Sequence, residues 1–527
     1  MIRMLSTSRV FVVALLLGLF ALTARGVRDP DFWWHLRTGQ YIAQTHSVPH
    51  RDIYSFTNEG RQWITHEWLS ELIFYGIYLS TGFAGLIVLF GLIIGGAFAL
   101  TYFRSTGRPY LAGLWVVLAA LATAPTWGVR PQMFSLLLTS VFLFVLYRRP
   151  DTTEVPGRNI WWLVPLTLLW ANLHAGYAVG LALIGLAIVG WLSDAATASV
   201  PRDEALRAVR LLAILLVVCA AVVIFNPNGT HLYSYPFQTL HSRAMQTYIV
   251  EWASPDFHLK RFQPFLLLLF ATFGALALSP RRERPGTVVL LIATAYAGMR
   301  SSRHIFIFAL VAAPLLAKYV QAWFNPQKWV LWMNTPEKVP TRSKAMLNAA
   351  LVLGMIAFCV ARVSMVVSRQ PATEAQNCPV AAVAFIDAQR PAGPFFNYYD
   401  WGGYFIWKLY PTYRVYVDGR ADLYGDTFMN EFVDTYRAEI GWRKTFDNYQ
   451  IQSALLPPRT SLAVALRREP GWKNIFEDKQ AVVFTRSEPT GVTFKQVPPE
   501  SESTFNLLIW EVDLGAPVSG VSPRQIR

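Results

Sequence analysis

The chain has 527 residues, of which 53% are hydrophobic and only 15% are charged. A water-soluble domain carries about a quarter charged residues, so much of this chain requires an apolar surrounding. The net charge of +14 would suit nucleic acid, but most basic residues stand in short loops between apolar runs. The composition therefore indicates a membrane protein with no nucleic-acid partner. The three cysteines have no C-x-x-C or Cys/His spacing, which excludes a disulfide framework and a structural zinc site.

About eleven apolar runs predict membrane-spanning helices, because a bilayer core needs about 20 apolar residues per helix and somewhat fewer for anchored spans. The runs lie at 10–25, 82–103, 109–125, 132–147, 160–174, 176–193, 211–226, 264–279, 287–299, 304–321 and 346–367. Beyond them the composition becomes that of a water-soluble α/β domain. The sequence thus predicts an α-helical polytopic membrane domain at 1–367 and a small soluble domain at 368–527.

Basic residues mark every second connection between these runs. They are Arg104, Arg108, Arg148, Arg149, Arg158, Arg202, Arg207, Arg210, Arg281, Arg282, Arg284, Lys328, Lys338, Arg342 and Lys344. An excess of Lys and Arg in short loops marks the cytoplasmic side. We therefore expect an inner-membrane protein with a cytoplasmic N-terminus and an extracytoplasmic C-terminal domain. The first run also fits a cleaved signal peptide, and both interpretations leave residues 26–81 outside.

The long first outer loop, residues 26–81, opens with Asp29 and Asp31. Two carboxylates separated by one residue can share a divalent cation such as Mg²⁺ or Mn²⁺, or divide into a metal ligand and a general base. Helix capping and solvation is the alternative for this pair. The segment Phe32–Thr45 predicts an interfacial amphipathic helix that Trp33 and Trp34 anchor at the lipid headgroups.

Other polar residues of the outer loops are also candidates. A second loop helix is predicted to start with Thr65 as its N-cap, which places His66 and Glu67 in the first turn as catalytic candidates. Simple solvation there fits equally well. The outer turns add His174 and three arginines that run against the positive-inside bias, Arg130, Arg300 and Arg303. Arginine suits phosphate oxygens, although an interfacial arginine can also extend to lipid phosphate without further function.

The order of one span, an acidic pair and a long outer loop with two interfacial helices resembles the C-type membrane glycosyltransferases. These include protein O-mannosyltransferases, lipid A aminoarabinose transferases and oligosaccharyltransferases. The resemblance covers residues 1 to about 320 and includes the strings Asp29–Arg37 and His66-Glu67-Trp68. It implies a polyprenyl-phosphate-linked sugar donor and an acidic base or metal ligand at Asp29-Pro30-Asp31. It also implies a phosphate-binding role for Arg300 or Arg303, and it leaves the acceptor open among glycan, lipid and protein.

The C-terminal domain alternates helical and strand patterns, which predicts a small α/β fold. The predicted helices are Pro379–Arg390, Thr427–Ala438 and Ser461–Glu469, and the predicted strands are Phe395–Tyr398, Arg414–Val417 and Ala481–Thr485. Polar residues at strand ends are where open α/β sheets bind ligands, so Asp400, Asp418 and Arg420 are candidates. The string from Asp418 to Asp422 also fits a salt-bridged turn.

These observations support the hypothesis of an enzyme that transfers a hexosyl or pentosyl group at the outer face of the membrane. Asp31 or Asp29 would accept the proton of the acceptor hydroxyl, and Arg130, Arg300 or Arg303 would hold the donor phosphate. One alternative is a transporter or flippase, which would carry mid-helix charges and helices broken in matching halves. The other is a non-catalytic assembly protein whose outer domain does the work.

Overall fold

The computed structural model describes residues 6–106, 109–147, 155–280, 282–324 and 341–487. Some residues that carry the charge argument lie outside these ranges, namely Arg108, Arg148, Arg149, Arg281, Lys328 and Lys338. The part of the predicted C-terminal domain from 488 to 527 also lies outside them.

A helix occupies each of the eleven predicted spans. In chain order the helices are α1 Thr7–Thr23, α2 Phe32–Thr45, α3 Trp68–Arg104, α4 Pro109–Thr123, α5 Gln132–Leu146, α6 Leu163–Leu173, α7 Tyr177–Ala196, α8 Arg202–Val222, α9 Tyr235–His241, α10 Arg243–Tyr248, α11 Gln263–Leu278, α12 Pro285–Arg300, α13 Ile305–Phe324, α14 Arg342–Ser368, α15 Gln370–Asn377, α16 Val380–Gln389, α17 Gly402–Leu409, α18 Ala421–Tyr436, α19 Trp442–Asn448 and α20 Ser461–Arg468. Among the described residues, seven helices are long and apolar enough to cross a membrane. The chain is therefore a polytopic helical membrane protein.

Helix α13 lies at the centre of the bundle and α14 at its periphery. Within the most apolar stretch of each helix, 83% of α13 is buried but only 11% of α14. Helix α13 packs against α4, α11 and α12, whereas α14 packs against α1 and α3. One side of α14 is thus left in contact with lipid. The apolar residues on that side carry no energetic penalty there, because lipid chains are themselves apolar.

Helix α3 contains both the second helix predicted in the first outer loop and the span predicted at 82–103. It bends at Gly82, where φ is 61° and ψ is −150°, a backbone conformation that glycine adopts readily. The arm before the bend starts at Trp68, with Glu67 at the N-cap position and no capping side chain. The prediction that Thr65 caps this helix was wrong, because its hydroxyl donates to the carbonyl of Pro49.

Helix α2 forms as predicted, but its tryptophans do not face the lipid headgroups. Trp33 and Trp34 are both buried, which contradicts their assignment as interfacial anchors. Trp33 meets the ring of Tyr404 edge to face at 5.0 Å between centroids. Trp34 packs so closely on Gly403 that a Cβ there would lie 3.3 Å from its ring. Helix α17 therefore covers the apolar side of α2 in place of the membrane surface.

The C-terminal region contains a four-stranded sheet with the order β1-β2-β4-β3. Its strands are β1 Phe395–Asn397, β2 Ser453–Leu456, β3 Trp472–Glu477 and β4 Val482–Arg486. Strands β1 and β2 are parallel, and the β2–β4 and β3–β4 pairs are antiparallel. The predicted strand Arg414–Val417 is not in the sheet. Its Val415 instead forms an isolated bridge with Ser55 of the first loop, because the first loop covers this segment.

Residues that the loop charges assign to opposite sides lie at opposite ends of the bundle. Glu67 and Arg104 flank the 37-residue helix α3 at its two ends. At the Arg104 end, Arg284 pairs with Asp194, and all three residues line a cavity of about 320 Å³. The acidic residues of the first loop lie at the Glu67 end, which is the location of the candidate site.

Candidate active site

The acidic pair lies where the chain leaves α1 and enters α2. The Oδ2 atom of Asp29 is 3.0 Å from Nε of Arg130, and Arg130 also pairs with Glu251. We call Asp29, Arg130 and Glu251 the acid–arginine triad. The backbone N–H of Asp31 donates to Oδ1 of Asp29 at 2.9 Å. Although Asp31 occupies the N-cap position of α2, its side chain makes no capping hydrogen bond, so capping does not explain this residue.

Both aspartates bind protons more tightly than an exposed carboxyl group. Burial raises the pKa of Asp29 more than the Arg130 guanidinium lowers it. Burial and the negative charge of Asp29 together raise the pKa of Asp31 well above its usual range. A carboxylate with a raised pKa is a stronger base, which is the property that proton abstraction from a hydroxyl needs.

Arg130 stays ionised despite its burial. Desolvation opposes its charge, but the carboxylates of Asp29 and Glu251 raise the pKa of the guanidinium above its ordinary value. The Arg130 and Asp29 charges also favour the ionised form of each other. Arg130 therefore acts first as the counter-ion of Asp29 and Glu251, and a phosphate that reaches it competes with these two carboxylates.

Glu67 forms a second centre, surrounded by three imidazoles. Its Oε1 lies 3.4 Å from Nε2 of His66 and 3.3 Å from Nε2 of His174, and its Oε2 lies 3.5 Å from Nε2 of His35. Burial would raise the pKa of Glu67, but the histidines, His66 foremost, lower it below the ordinary value. Glu67 is therefore a buried anion at neutral pH.

Of the three histidines around Glu67, His66 is the one whose pKa is raised. Burial opposes its protonation, but the nearby Glu67 carboxylate raises the pKa of His66, and the Asp422 charge adds to this effect. Burial lowers the pKa of His35 to about 4 and that of His174 to about 3, so both are neutral at pH 7. The ring of Tyr235 packs against His66 at 4.0 Å between centroids.

Hydrogen bonds fix the tautomer of His174. The N–H of Gly176 donates to Nδ1 of His174 at 2.8 Å, so this nitrogen is an acceptor. Ser135 lies 2.7 Å from the same nitrogen and receives the indole N–H of Trp170 at 2.8 Å, so its hydroxyl proton is directed towards Nδ1. The proton of neutral His174 is therefore on Nε2, where it faces Glu67.

The sequence reasoning missed two residues of this second centre, His35 and Glu71. The Nδ1 atom of His35 lies 3.2 Å from Oε1 of Glu71. The signal was present, because Glu71 follows Glu67 by four residues and His35 follows Asp31 by four, a spacing that places side chains on one helix face.

His35, Glu67 and Glu71 offer ligand atoms that all lie within 4.8 Å of one another. The Oε2 atom of Glu71 is buried and has no hydrogen-bond partner, which leaves a lone pair for a cation. One imidazole and two carboxylates are a donor set that Zn²⁺ or Mn²⁺ accepts. By contrast, Asp29, one of the two residues of the predicted metal pair, already pairs with Arg130. His35, Glu67 and Glu71 therefore fit a divalent cation better than Asp29 and Asp31 do.

The structure brings some of the predicted phosphate-binding residues to the site and leaves one outside it. Nη2 of Arg303 lies 3.5 Å from Nε2 of His174, and its guanidinium stacks on Trp252 at 5.1 Å. Arg303, Arg130 and His174 thus border the two acidic centres. Arg300 instead donates to Gln246 at 2.7 Å in an exposed position.

The three C-terminal candidates occupy different environments. Arg420 is fully buried, with Nη1 2.8 Å from Asp52 and Nη2 2.6 Å from Asp418. Its guanidinium also lies 4.5 Å from the ring centroid of Trp63. Asp418 and Arg420 therefore form a salt-bridged turn that ties the first loop to the C-terminal region. Asp400 accepts a hydrogen bond from Tyr398 at 2.8 Å, and burial raises its pKa.

Comparison with known proteins defines the fold class. No family model matches the sequence, and a search of the curated proteins finds no match. The oligosaccharyltransferase AglB from Archaeoglobus fulgidus, in complex with an inhibitory peptide and a dolichol-phosphate, is 11% identical. The match covers 84% of this chain and 69% of AglB with a TM-score of 0.53. ArnT from Cupriavidus metallidurans, bound to undecaprenyl phosphate, is 17% identical over 90% of this chain and 97% of ArnT, with a TM-score of 0.48.

Both proteins are membrane glycosyltransferases of the C-type superfamily. The likeness to AglB shows that this chain has the fold of that superfamily, as the sequence resemblance implied. Because identity is so low, the comparison defines the fold class and leaves the chemistry to the residues of the site.

Proposed function

We propose that this chain transfers a sugar from a polyprenyl-phosphate-linked donor to an acceptor hydroxyl at the end of the bundle where Asp31 lies. The observation that carries the proposal is a buried carboxyl group with a raised pKa, adjacent to a second carboxyl group and to the guanidinium of Arg130. The fold agrees, since AglB was solved with a dolichol-phosphate and ArnT with undecaprenyl phosphate. Following the loop charges, we place this end at the outer face of the inner membrane.

In the proposed reaction, Asp31 accepts the proton of the acceptor hydroxyl while that oxygen forms a bond to the anomeric carbon. The bond between the anomeric carbon and the phosphate oxygen breaks, and the lipid phosphate leaves with the electron pair. Arg303, and Arg130 behind it, would stabilise the negative charge on the leaving phosphate. A divalent cation held by His35, Glu67 and Glu71 would add a further positive charge beside this group.

The transporter alternative has less support from the arrangement of charges. Two of the ion pairs buried among the described residues lie towards the two ends of the bundle, Asp29–Arg130 at one end and Asp194–Arg284 at the other. A site in the middle of the membrane would need ionisable groups midway along the helices. An enzyme that works on a lipid headgroup needs them at the interface instead.

Substitution of Asp31 tests the proposal. Asp31→Asn keeps the size of the side chain but removes the base, so transfer from a polyprenyl-phosphate hexose or pentose should fall by about 10²–10⁴-fold. Asp31→Glu should retain little activity, because the Asp31 carboxylate packs directly on Gly419 and a longer side chain displaces it. Asp256→Asn, an exposed carboxylate in another loop, is the matched control and should transfer normally. Thermal unfolding should change little in all three variants.

A fully active double variant, Asp29→Asn with Asp31→Asn, would remove catalysis from the first loop. Movement of the labelled lipid or of a solute through vesicles that contain this variant would then favour the transporter hypothesis.

A further inference from the structure

A cavity of about 500 Å³ opens beside the acid–arginine triad, between the end of α1, the turn before α5 and the end of α14. The triad forms one wall. Four further arginines line the cavity, namely Arg25, Arg28, Arg362 and Arg369. We call this space the arginine cavity. Of the two arginines assigned above to the donor phosphate, Arg130 belongs to the triad wall of this cavity, whereas Arg303 does not line it.

The positive charge of this cavity is not neutralised by its own walls. Its two carboxylates, Asp29 and Glu251, are both paired with Arg130. In the part of the chain that the structure describes, none of the four arginines of the arginine cavity has a carboxylate within ion-pair distance. Arg25 donates instead to the carbonyl oxygen of Ala124 at 2.8 Å and stacks on Trp127 at 5.0 Å.

Three of these arginines are close enough for their charges to oppose one another. Burial, followed by the positive charges of Arg28 and Arg362, lowers the pKa of Arg25. Like charges held together in this way favour an anion that lies between them, and guanidinium groups match the geometry of phosphate oxygens. An anionic ligand would thus relieve an unfavourable arrangement that the fold maintains.

The position of the cavity indicates how such an anion arrives. Arg362 belongs to α14, the helix with only 11% of its apolar stretch buried, and Arg369 follows directly after it. A group that enters beside a lipid-facing helix comes from the membrane itself. Phosphate carried on a lipid headgroup fits both the charge of the cavity and this route of entry.

We propose that the arginine cavity binds the phosphate-bearing headgroup of an anionic lipid, and that this lipid is the acceptor of the sugar. This inference rests on the proposed transferase function. It places the acceptor in the cavity that Asp29 lines, whereas Arg303, the other proposed ligand of the donor phosphate, lies outside that cavity. Because Oδ1 of Asp29 accepts the backbone N–H of Asp31, an acceptor in the cavity lies next to the segment that carries the proposed base.

The first test measures binding and needs no turnover. The purified full chain in phosphatidylcholine nanodiscs is titrated with phosphatidic acid and, separately, with undecaprenyl phosphate. The double variant Arg362→Gln with Arg369→Gln should bind phosphatidic acid about tenfold or more weakly while its affinity for undecaprenyl phosphate is unchanged. The control is Arg342→Gln with Lys344→Gln, at the other end of α14, which should bind both lipids like the parent.

Unchanged affinity for phosphatidic acid would overturn the proposal, and so would an equal loss for both lipids, because the cavity would then hold the donor.

The second test asks whether the bound lipid is also the acceptor of the sugar. Membrane lipids are fractionated by anion exchange and offered with the labelled donor. Label should enter the anionic fraction, and the double variant should raise the KM for that fraction but not for the donor. Label in the neutral fraction would contradict the acceptor assignment. The Asp31→Asn variant in the same assay tests the transferase function by itself, and it should be inactive.

Discussion

The Asp31 carboxylate rests directly on the backbone of Gly419, so that a Cβ at position 419 would overlap its Oδ1 atom. Tyr399 fixes the same turn, since its hydroxyl donates to the Gly419 carbonyl at 3.1 Å. The C-terminal region therefore forms part of the site, because it sets the position of the proposed base.

Gly419→Ala should displace Asp31 and reduce sugar transfer by about 10²-fold, the effect expected when a reacting group moves by about 1 Å. The substitution changes no charge, so substrate binding should suffer less than turnover. Gly185→Ala is the control, because a Cβ there meets open space. Turnover measurements that show equal activity for both variants would mean that Gly419 does not position the base.

The pH dependence of transfer should show the coupling between Asp29 and Asp31. The base must be ionised, and its pKa is raised, so activity should be lost as pH falls through a value above the ordinary aspartate range near 3.9. Asp29→Asn removes a negative charge that raises the pKa of Asp31. The acid limb of kcat/KM should therefore move to lower pH in this variant.

The exposed Asp387→Asn variant should keep the pH profile of the parent. An acid limb that moves to higher pH in Asp29→Asn would contradict the assigned coupling.

Metal content distinguishes the two candidate cation sites. The chain purified from medium with added Zn²⁺ or Mn²⁺ should contain bound metal, measured by elemental analysis. Glu71→Gln and His35→Ala should lose it, since each removes a ligand of the cluster that has the required spacing. Asp29→Asn should retain it. Metal lost from Asp29→Asn but kept in Glu71→Gln would assign the cation to the acidic pair instead.

Arg420→Gln should weaken the attachment of the C-terminal region to the first loop. It leaves Asp52 and Asp418 buried without their counter-ion, which costs about 3–5 kcal/mol for a pair of this kind. Thermal unfolding and limited proteolysis measure the loss. Arg443→Gln breaks the exposed pair with Glu469 and should change little, and equal effects from the two variants would show that the Arg420 network is not a stabilising contact.

Much of the fold was predictable from the length and position of the apolar runs. The runs around 109–125 and 132–147 became α4 and α5 almost residue for residue, because a span must satisfy every backbone hydrogen bond within one helix. The strand predicted at 414–417 was wrong, since a short apolar segment is stabilised by whichever surface covers it, and here that surface is the first loop. Strand β2, a short buried segment, went unpredicted for the same reason, and the largely exposed strand β3 was also missed.

The residues able to carry out the chemistry could be recognised without the structure. The D-x-D string after α1, the histidine and glutamate before α3, and the outer arginines are all visible in the order of residues. Their partners became apparent only from the folded chain: Arg130 pairs with Asp29 across about a hundred residues, Gly419 supports Asp31, and Arg300 binds Gln246 in an exposed position. Ion pairing and close packing depend on distance in space, whereas sequence periodicity specifies only which face of one helix a side chain occupies.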